Sequence, residues 1–309
     1  MRGKMTCFII GPTATGKTEA ALALARIVGG EVISADSMQI YRHMDIGTAK
    51  PPAGARREIP HHMIDIADPD ADFSVAEYQS LATAAIESAR QRGMVPIVAG
   101  GTGLYVNSLL YPDAYAFGEG PVDFAYRREL TETAERMGGQ HMHEALARIC
   151  PEAARGVHPN NVRRVIRLLE RARAGEQGGA GGRVDRTPLK NAITFILSME
   201  RGRLYETIDR RVDGMLEQGL IGEVGRLLSM GYGRELNSMR GLGYRETASY
   251  LSGETSYGQA VSDIKKNTRN FAKRQLTWFN GQCGGKWIYV DECPPQDIII
   301  QTILSEGVV

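Results

Sequence analysis

Cys7-Phe-Ile-Ile-Gly11-Pro-Thr-Ala-Thr-Gly16-Lys17-Thr18 decides how this chain is read. The apolar run 7–10 predicts a buried strand. A glycine-bearing turn follows, and residues 17–28, rich in alanine and leucine, predict a helix. Gly11 to Thr18 matches G-x-x-x-x-G-K-[ST], and strand, loop and helix in that order are the context that gives the motif its meaning. The glycines let the backbone curl until its N–H groups converge on an anion. Lys17 adds a charge, the helix N-terminus adds its dipole, and the Thr18 hydroxyl suits Mg²⁺. The motif speaks of a di- or triphosphate such as a bound nucleotide, without specifying ATP.

Outward from this loop, strands alternate with helices. Residues 31–35 predict a second strand ending at Asp36, and 62–66 a third. Ser74 with Glu77 forms a capping box that opens a helix running to about Arg92. Residues 94–99 predict a fourth strand, ending in Gly100-Gly-Thr-Gly103. Such alternation predicts an α/β fold, a parallel sheet with helices on both faces, like the P-loop NTPases. It stops near Tyr111. Residues 122–173 read as helix only, and 175–182 as a glycine-rich linker. Strand patterns return at 193–197 and 287–290. The expected organisation is a catalytic core of 1–115 plus 187–309, interrupted by a helical insertion of 116–186.

Composition limits the alternatives. The 309 residues hold 37 Lys and Arg against 36 Asp and Glu, a net charge of +1, so any signal for nucleic acid must be local. Glycine, 36 residues, exceeds the usual ~7%. The cysteines, Cys7, Cys150, Cys283 and Cys293, form no C-x-x-C pair, which argues against zinc and for reduced thiols. The run 5–10 after Arg2 and Lys4 is too short for a signal peptide, and no stretch reaches the ~18–20 apolar residues of a membrane span. A cytoplasmic protein is expected, and a monomer.

Asp36 closes the second strand, and ligands of open α/β sheets bind beyond the carboxyl ends of strands. A carboxylate there can take a proton from a nucleophile that attacks the phosphate-bearing ligand; an N-cap or metal-supporting role is the alternative. The fourth strand ends without a Walker B acid, and no Asn-Lys-x-Asp guanine motif occurs. His61 and His62 are adjacent in a strand and so face opposite sides; they suit packing better than one metal. His141 and His143 are expected at the surface. Two basic stripes stand out. Arg163, Arg167 and Arg171 recur at four-residue spacing beside Arg155, Arg164 and Arg173. Lys265, Arg269 and Lys273 do the same, with Lys266, Asn270 and Arg274 alongside. Either is a solvated face or part of a polyanion groove. Phe271, Trp278 and Phe279 interleave with the second stripe, the last two expected in the core.

Several segments together resemble one family, the bacterial tRNA dimethylallyltransferases. They are Gly11–Thr18 as quoted, Ser34-Ala-Asp-Ser-Met-Gln-Ile-Tyr-Arg42, Asp45-Ile-Gly-Thr-Ala-Lys-Pro51, His61-His-Met-Ile-Asp65, Gly100-Gly-Thr-Gly-Leu-Tyr105, Asn160-Asn-Val-Arg-Arg164, Gly241-Leu-Gly-Tyr-Arg-Glu246 and Arg269-Asn-Phe-Ala-Lys-Arg-Gln-Leu-Thr-Trp-Phe279. Thr15, where serine is usual, and the glycines after Arg173 depart from the pattern, and the zinc finger of eukaryotic relatives is lacking. The resemblance implies transfer of a dimethylallyl group from dimethylallyl diphosphate to N6 of adenosine 37 in the tRNA anticodon stem-loop, with Mg²⁺ and release of pyrophosphate. It implies that Gly11, Pro12, Thr13, Ala14, Thr15, Gly16, Lys17 and Thr18 hold the diphosphate, with Thr18 on the metal. Asp36, Thr102 and Arg127 are its catalytic candidates. Asp36, Ser37, Met38, Gln39, Asn160, Asn161, Val162, Arg163, Arg164, Arg240, Gly241, Leu242, Gly243, Tyr244 and Arg245 would touch tRNA. The rival readings are a P-loop kinase of a small metabolite and a non-catalytic RNA-binding P-loop protein.

Overall fold

A computed structural model describes residues 5–115, 123–173, 187–291 and 295–305. The glycine-rich stretch 175–182, the charges at Arg2 and Lys4, and Cys293 lie outside the described residues. The chain divides into two compact units, Met1–Pro112 with Pro188–Val309, and Asp113–Thr187.

In the first unit β1 (Thr6–Ile10), all five residues buried, runs into the phosphate loop and then α1 (Lys17–Val28). After β2 (Gly30–Ser34) come α2 (Ala53–Glu58) and β3 (His61–His62). Next are α3 (Val75–Gln91), β4 (Val95–Gly100) and α4 (Gly103–Leu110). Ser74 and Glu77 cap α3 reciprocally, as their spacing predicts. Among the described residues six strands form one parallel sheet in the order β3-β2-β4-β1-β5-β6. This is the P-loop NTPase-like α/β arrangement. The third strand is shorter than 62–66, because Met63 and Asp65 take positive φ and break the extended chain.

The second unit holds α5 (Phe124–Ile149, interrupted at Gly138), α6 (Pro151–Arg155) and α7 (Val162–Arg173). Leu130, Met142, Leu146, Val165 and Leu169 build its own apolar core. The first unit resumes with β5 (Ala192–Ser198), α8 (Arg201–Glu217), α9 (Leu220–Ser229), α10 (Tyr244–Leu251), α11 (Tyr257–Gln282), β6 (Lys286–Tyr289) and α12 (Pro295–Ser305). Two of its apolar clusters position the site. One joins the sheet to α1 and α12 through Ile9, Leu24, Ile97, Phe195 and Ile299. The other gathers Ile40, Met44, Val212, Leu220, Val224 and Tyr244 under the segment that follows β2. Each such residue, fully buried, contributes about 1.5–3 kcal/mol.

Among the described residues no helix is long and apolar enough to cross a membrane. Cys7 and Cys150 are free thiols, and the Cys283 thiol donates to Asn107 Oδ1 at 2.9 Å. His143, expected at the surface, is half-buried. Its Nε2 faces the carbonyl oxygens of Ala154 and Val157, so that nitrogen carries the hydrogen. His61 and His62 have separate partners: Nδ1 of His61 meets Ile59 O, and Nε2 of His62 meets Glu31.

Candidate active site

The phosphate loop, Asp36 and the Gly100-Gly101 turn meet at the carboxyl ends of β1, β2 and β4. Gly11 makes the first turn with φ 147°, where the backbone passes so close to β5 that a Cβ would stand 2.4 Å from Leu197 O. Gly16, also at positive φ, turns the chain into α1. The Thr15 hydroxyl donates to Pro12 O at 2.9 Å and so closes the loop on itself. Lys17 Nζ donates to the same carbonyl.

A cavity of about 460 Å³ opens on this loop. Thr13, Ala14, Gly16, Lys17 and Thr18 line it, together with Asp36 from the end of β2 and Gly100 and Gly101 from the end of β4. The structure therefore brings the phosphate loop and Asp36 to one space. Asp36 Oδ1 accepts from Met38 N at 2.9 Å, which fixes the carboxylate in a tight turn. Behind that turn, Thr102 Oγ1 accepts from Ser37 N at 2.9 Å and donates to Ser37 Oγ, while Thr102 N donates to Ala35 O. Thr102 thus couples the end of β4 to the segment bearing Asp36.

Sequence reasoning missed several residues of the same cavity. Arg211 comes from α8, Phe271 and Gln275 from α11, and Lys50 from the Asp45-Ile-Gly-Thr-Ala-Lys50 loop. The polar, glycine-bearing stretch 41–50 reads in the sequence as a substrate-facing loop, though nothing there singles out Lys50; Arg211 and Gln275 carry no local pattern. Lys50 Nζ is held by Tyr41 O, Asp45 and Asp65. Burial pushes the Lys17 ammonium down to about 7. The Arg211 guanidinium adds to this, and Asp36 and Glu19 oppose it. Lys17 and Arg211 bring two positive side chains to one cavity, which suits an anionic ligand. Thr18, Asp36 and Glu19 line the cavity with oxygen donors only. That donor set fits Mg²⁺, which takes one or two protein oxygens and completes its shell with phosphate and water.

The remaining candidates distribute as follows. Met38 packs on Gly241, where a Cβ would stand 2.4 Å from its Cε, so the segments 36–39 and 240–245 adjoin. Arg240 and Arg245 are exposed. Tyr244, expected at an RNA surface, is fully buried and donates its hydroxyl to Glu223; its ring belongs to the core. The Gln39 side chain is also turned inward, between Ser34 Oγ and the carbonyls of Thr48 and Ala49. In the second unit Asn160, Asn161, Arg163, Arg164 and Arg167 are exposed. Arg127 there donates through Nε and Nη2 to Glu170, at 2.6 and 3.0 Å.

The stripe on α11 is not a uniform polyanion face. Lys265 bonds Asp213 and Arg269 bonds Asp209, so α8 neutralises this half. Lys266, Asn270, Lys273 and Arg274 stay exposed. Phe279 is fully buried. Trp278 is half-buried against Gly103, where a Cβ would stand 2.3 Å from its ring.

A family model described as IPP transferase matches residues 39–282 of this chain, and a second, isopentenyl transferase, matches 5–60. The chain belongs to the IPP transferase family. A tRNA dimethylallyltransferase of Desulforudis audaxviator is 49% identical over 292 residues, covering 92% of each chain. One from Pelotomaculum thermopropionicum is 48% identical over 304 residues, covering 97% of this chain and 96% of its own. Among solved structures, the full-length tRNA isopentenylpyrophosphate transferase of Bacillus halodurans is 42% identical and superposes with a TM-score of 0.71, covering 99% of this chain and 96% of that one. A eukaryotic dimethylallyltransferase, captured acting on tRNA, is 28% identical with a TM-score of 0.76, covering 89% of this chain and 70% of its own. The IPP transferase family thus accounts for a phosphate loop without a Walker B strand: its members' names speak of prenyl transfer to tRNA.

Proposed function

We propose that this chain is a tRNA dimethylallyltransferase, which moves a dimethylallyl group from dimethylallyl diphosphate to N6 of adenosine 37. The observation that carries this reading is the single cavity lined by the phosphate loop, Arg211 and the Asp36 carboxylate, in a chain of this family. In the reaction the adenine amine attacks the allylic carbon. The carbon–oxygen bond to the diphosphate breaks and pyrophosphate leaves. The amine is a weak nucleophile because its lone pair is delocalised into the ring. Asp36 accepts its proton as the new C–N bond forms. The loop N–H groups, Lys17 and Arg211 stabilise the charge that grows on the leaving group. Thr18, with Glu19 beside it in the cavity lining, would hold Mg²⁺, which when bound supplies further positive charge to the diphosphate.

An adenine stacked in an anticodon loop cannot reach Asp36, so the base enters the cavity flipped out of the stack. The exposed arginines of α7 and of the 240–245 segment suit the RNA backbone, and Thr102 braces the turn that presents Asp36. Arg127 enters the reading as a partner of the reacting phosphate through the family resemblance alone. A cytoplasmic monomer completes the proposal. The test is pyrophosphate release with purified protein and Mg²⁺: release that requires dimethylallyl diphosphate and unmodified tRNA together supports it. Brisk ATP hydrolysis or phosphorylation of a metabolite would replace it with the kinase reading.

A further inference from the structure

Glu223, on α9, is a carboxylate that the proposed chemistry does not use, and it is 2% exposed. Its Oε2 accepts from the backbone N–H groups of Asp45 and Ile46, at 2.9 and 2.8 Å. Its Oε1 accepts from Gly47 N at 3.1 Å and from the Tyr244 hydroxyl at 2.6 Å. None of these partners is a cation. Three consecutive peptide N–H groups converge on one buried anion, the geometry of an anion nest turned to an internal use. The four bonds fill the acceptor capacity of a carboxylate. Burial and the Glu223 carboxylate push the Tyr244 phenol up, so it remains a donor.

This nest fixes a loop that walls the active-site cavity. Asp45, Ile46, Ala49 and Lys50 all line that space, with Pro51 and Pro52 after them. Gly47 lies against the Tyr244 ring, where a Cβ would stand 2.5 Å from the nearest ring atom. This loop brings Ile46, Ala49 and the two prolines to the cavity beside the charged Asp45 and Lys50, which pair with one another, Lys50 also with Asp65. We infer that Glu223 is a positioning residue: it holds, through the backbone of 45–47, the apolar wall against which the hydrocarbon part of the diphosphate substrate lies. The inference rests on the proposed function for the identity of that hydrocarbon.

Glutamine is the informative replacement. It keeps the shape, but its amide nitrogen faces two donors in either orientation. The Tyr244 hydroxyl can turn and accept; a peptide N–H cannot, so at least one loop N–H loses its acceptor. The experiment is calorimetric binding of inorganic pyrophosphate and of dimethylallyl diphosphate to the full chain, wild type and Glu223→Gln, alongside KM and kcat for prenyl transfer. The expected result is about a tenfold loss of dimethylallyl diphosphate affinity, from hydrogen bonds to a charged group, with pyrophosphate affinity kept within about twofold. KM should rise more than kcat falls. Equal losses for the two ligands, or no loss for either, would overturn the inference. Should Glu223→Gln fail to fold, Tyr244→Phe removes one donor and leaves the anion; the same selective loss is expected at about threefold, and the same two results contradict it. A wild-type protein that binds both ligands as described but does not prenylate tRNA would sink the proposed function and leave the affinity ratio to decide the role of Glu223. A wild type that gains no affinity from the alkyl group contradicts both.

Discussion

The side chain of Gln275 on α11 ties the phosphate loop to the turn after β4. Its oxygen accepts from Thr13 N at 2.8 Å, and its nitrogen donates to Gly101 O at 2.9 Å. The two ends of this clamp are 262 and 174 residues away in sequence. Gln275 also fills the space where a Cβ on Gly101 would stand. Gln275→Ala leaves a buried donor and a buried acceptor unpaired, each worth about 1–3 kcal/mol. Denaturant melts should show a loss of about 2 kcal/mol or more, and pyrophosphate calorimetry a several-fold weaker affinity. Unchanged affinity would mean that the loop is shaped without Gln275.

Asp36 is assigned a proton, and that can be separated from architecture. Asp36→Asn keeps the shape and the bond from Met38 N. Single-turnover rates should drop by ~10²–10⁴, with dimethylallyl diphosphate affinity largely retained. Thr18→Ala should instead weaken Mg²⁺ and diphosphate binding together. If Asp36→Asn loses affinity as Thr18→Ala does, Asp36 serves the metal or the loop.

Lys17 gives a pH signature. Held down to about 7 by burial and by Arg211, its ammonium is charged below that pH and neutral above it in the free protein. An anion in the cavity favours the charged form and moves the midpoint up. NMR titration of the Lys17 side chain, assigned with Lys17→Arg, should give a midpoint near 7. It should be higher in Arg211→Gln and higher again with pyrophosphate. A midpoint at the ordinary lysine value of ~10.4 would contradict the crowding of the two cations.

The two basic stripes should now behave differently. Arg163, Arg164 and Arg167 are exposed on α7, and replacing all three by alanine should weaken tRNA binding and reduce its salt slope by about two. Lys265 and Arg269 are paired with Asp213 and Asp209, so their replacement should leave the slope nearly unchanged. Filter binding over a salt series distinguishes the two, and equal slopes would refute the division.

What the sequence disclosed was local. Gly16 and Lys17 fix where α1 begins, and Ser74 with Glu77 fixes α3, because each signal acts within a few residues. What stayed hidden depends on partners far along the chain. Lys265 and Arg269 read as free charge because their acids lie 52 and 60 residues away. Tyr244 reads as an RNA contact until Glu223, 21 residues earlier, draws its hydroxyl inward. Arg211 sits among the ordinary charges of an amphipathic helix, and only the fold turns it to the phosphate loop. The third strand ended early for a similar reason: Asp65 leaves the extended region and bonds Lys50 and Arg56.

The central claim is prenyl transfer to one adenosine of tRNA. The most direct test incubates the purified protein with Mg²⁺, dimethylallyl diphosphate and unmodified tRNA, digests the RNA and weighs its nucleosides. The expected product is an adenosine heavier by one dimethylallyl group in place of one hydrogen, located at position 37, absent when any component is omitted and strongly reduced with Asp36→Asn. Unmodified adenosine from a folded protein that binds both substrates would contradict it.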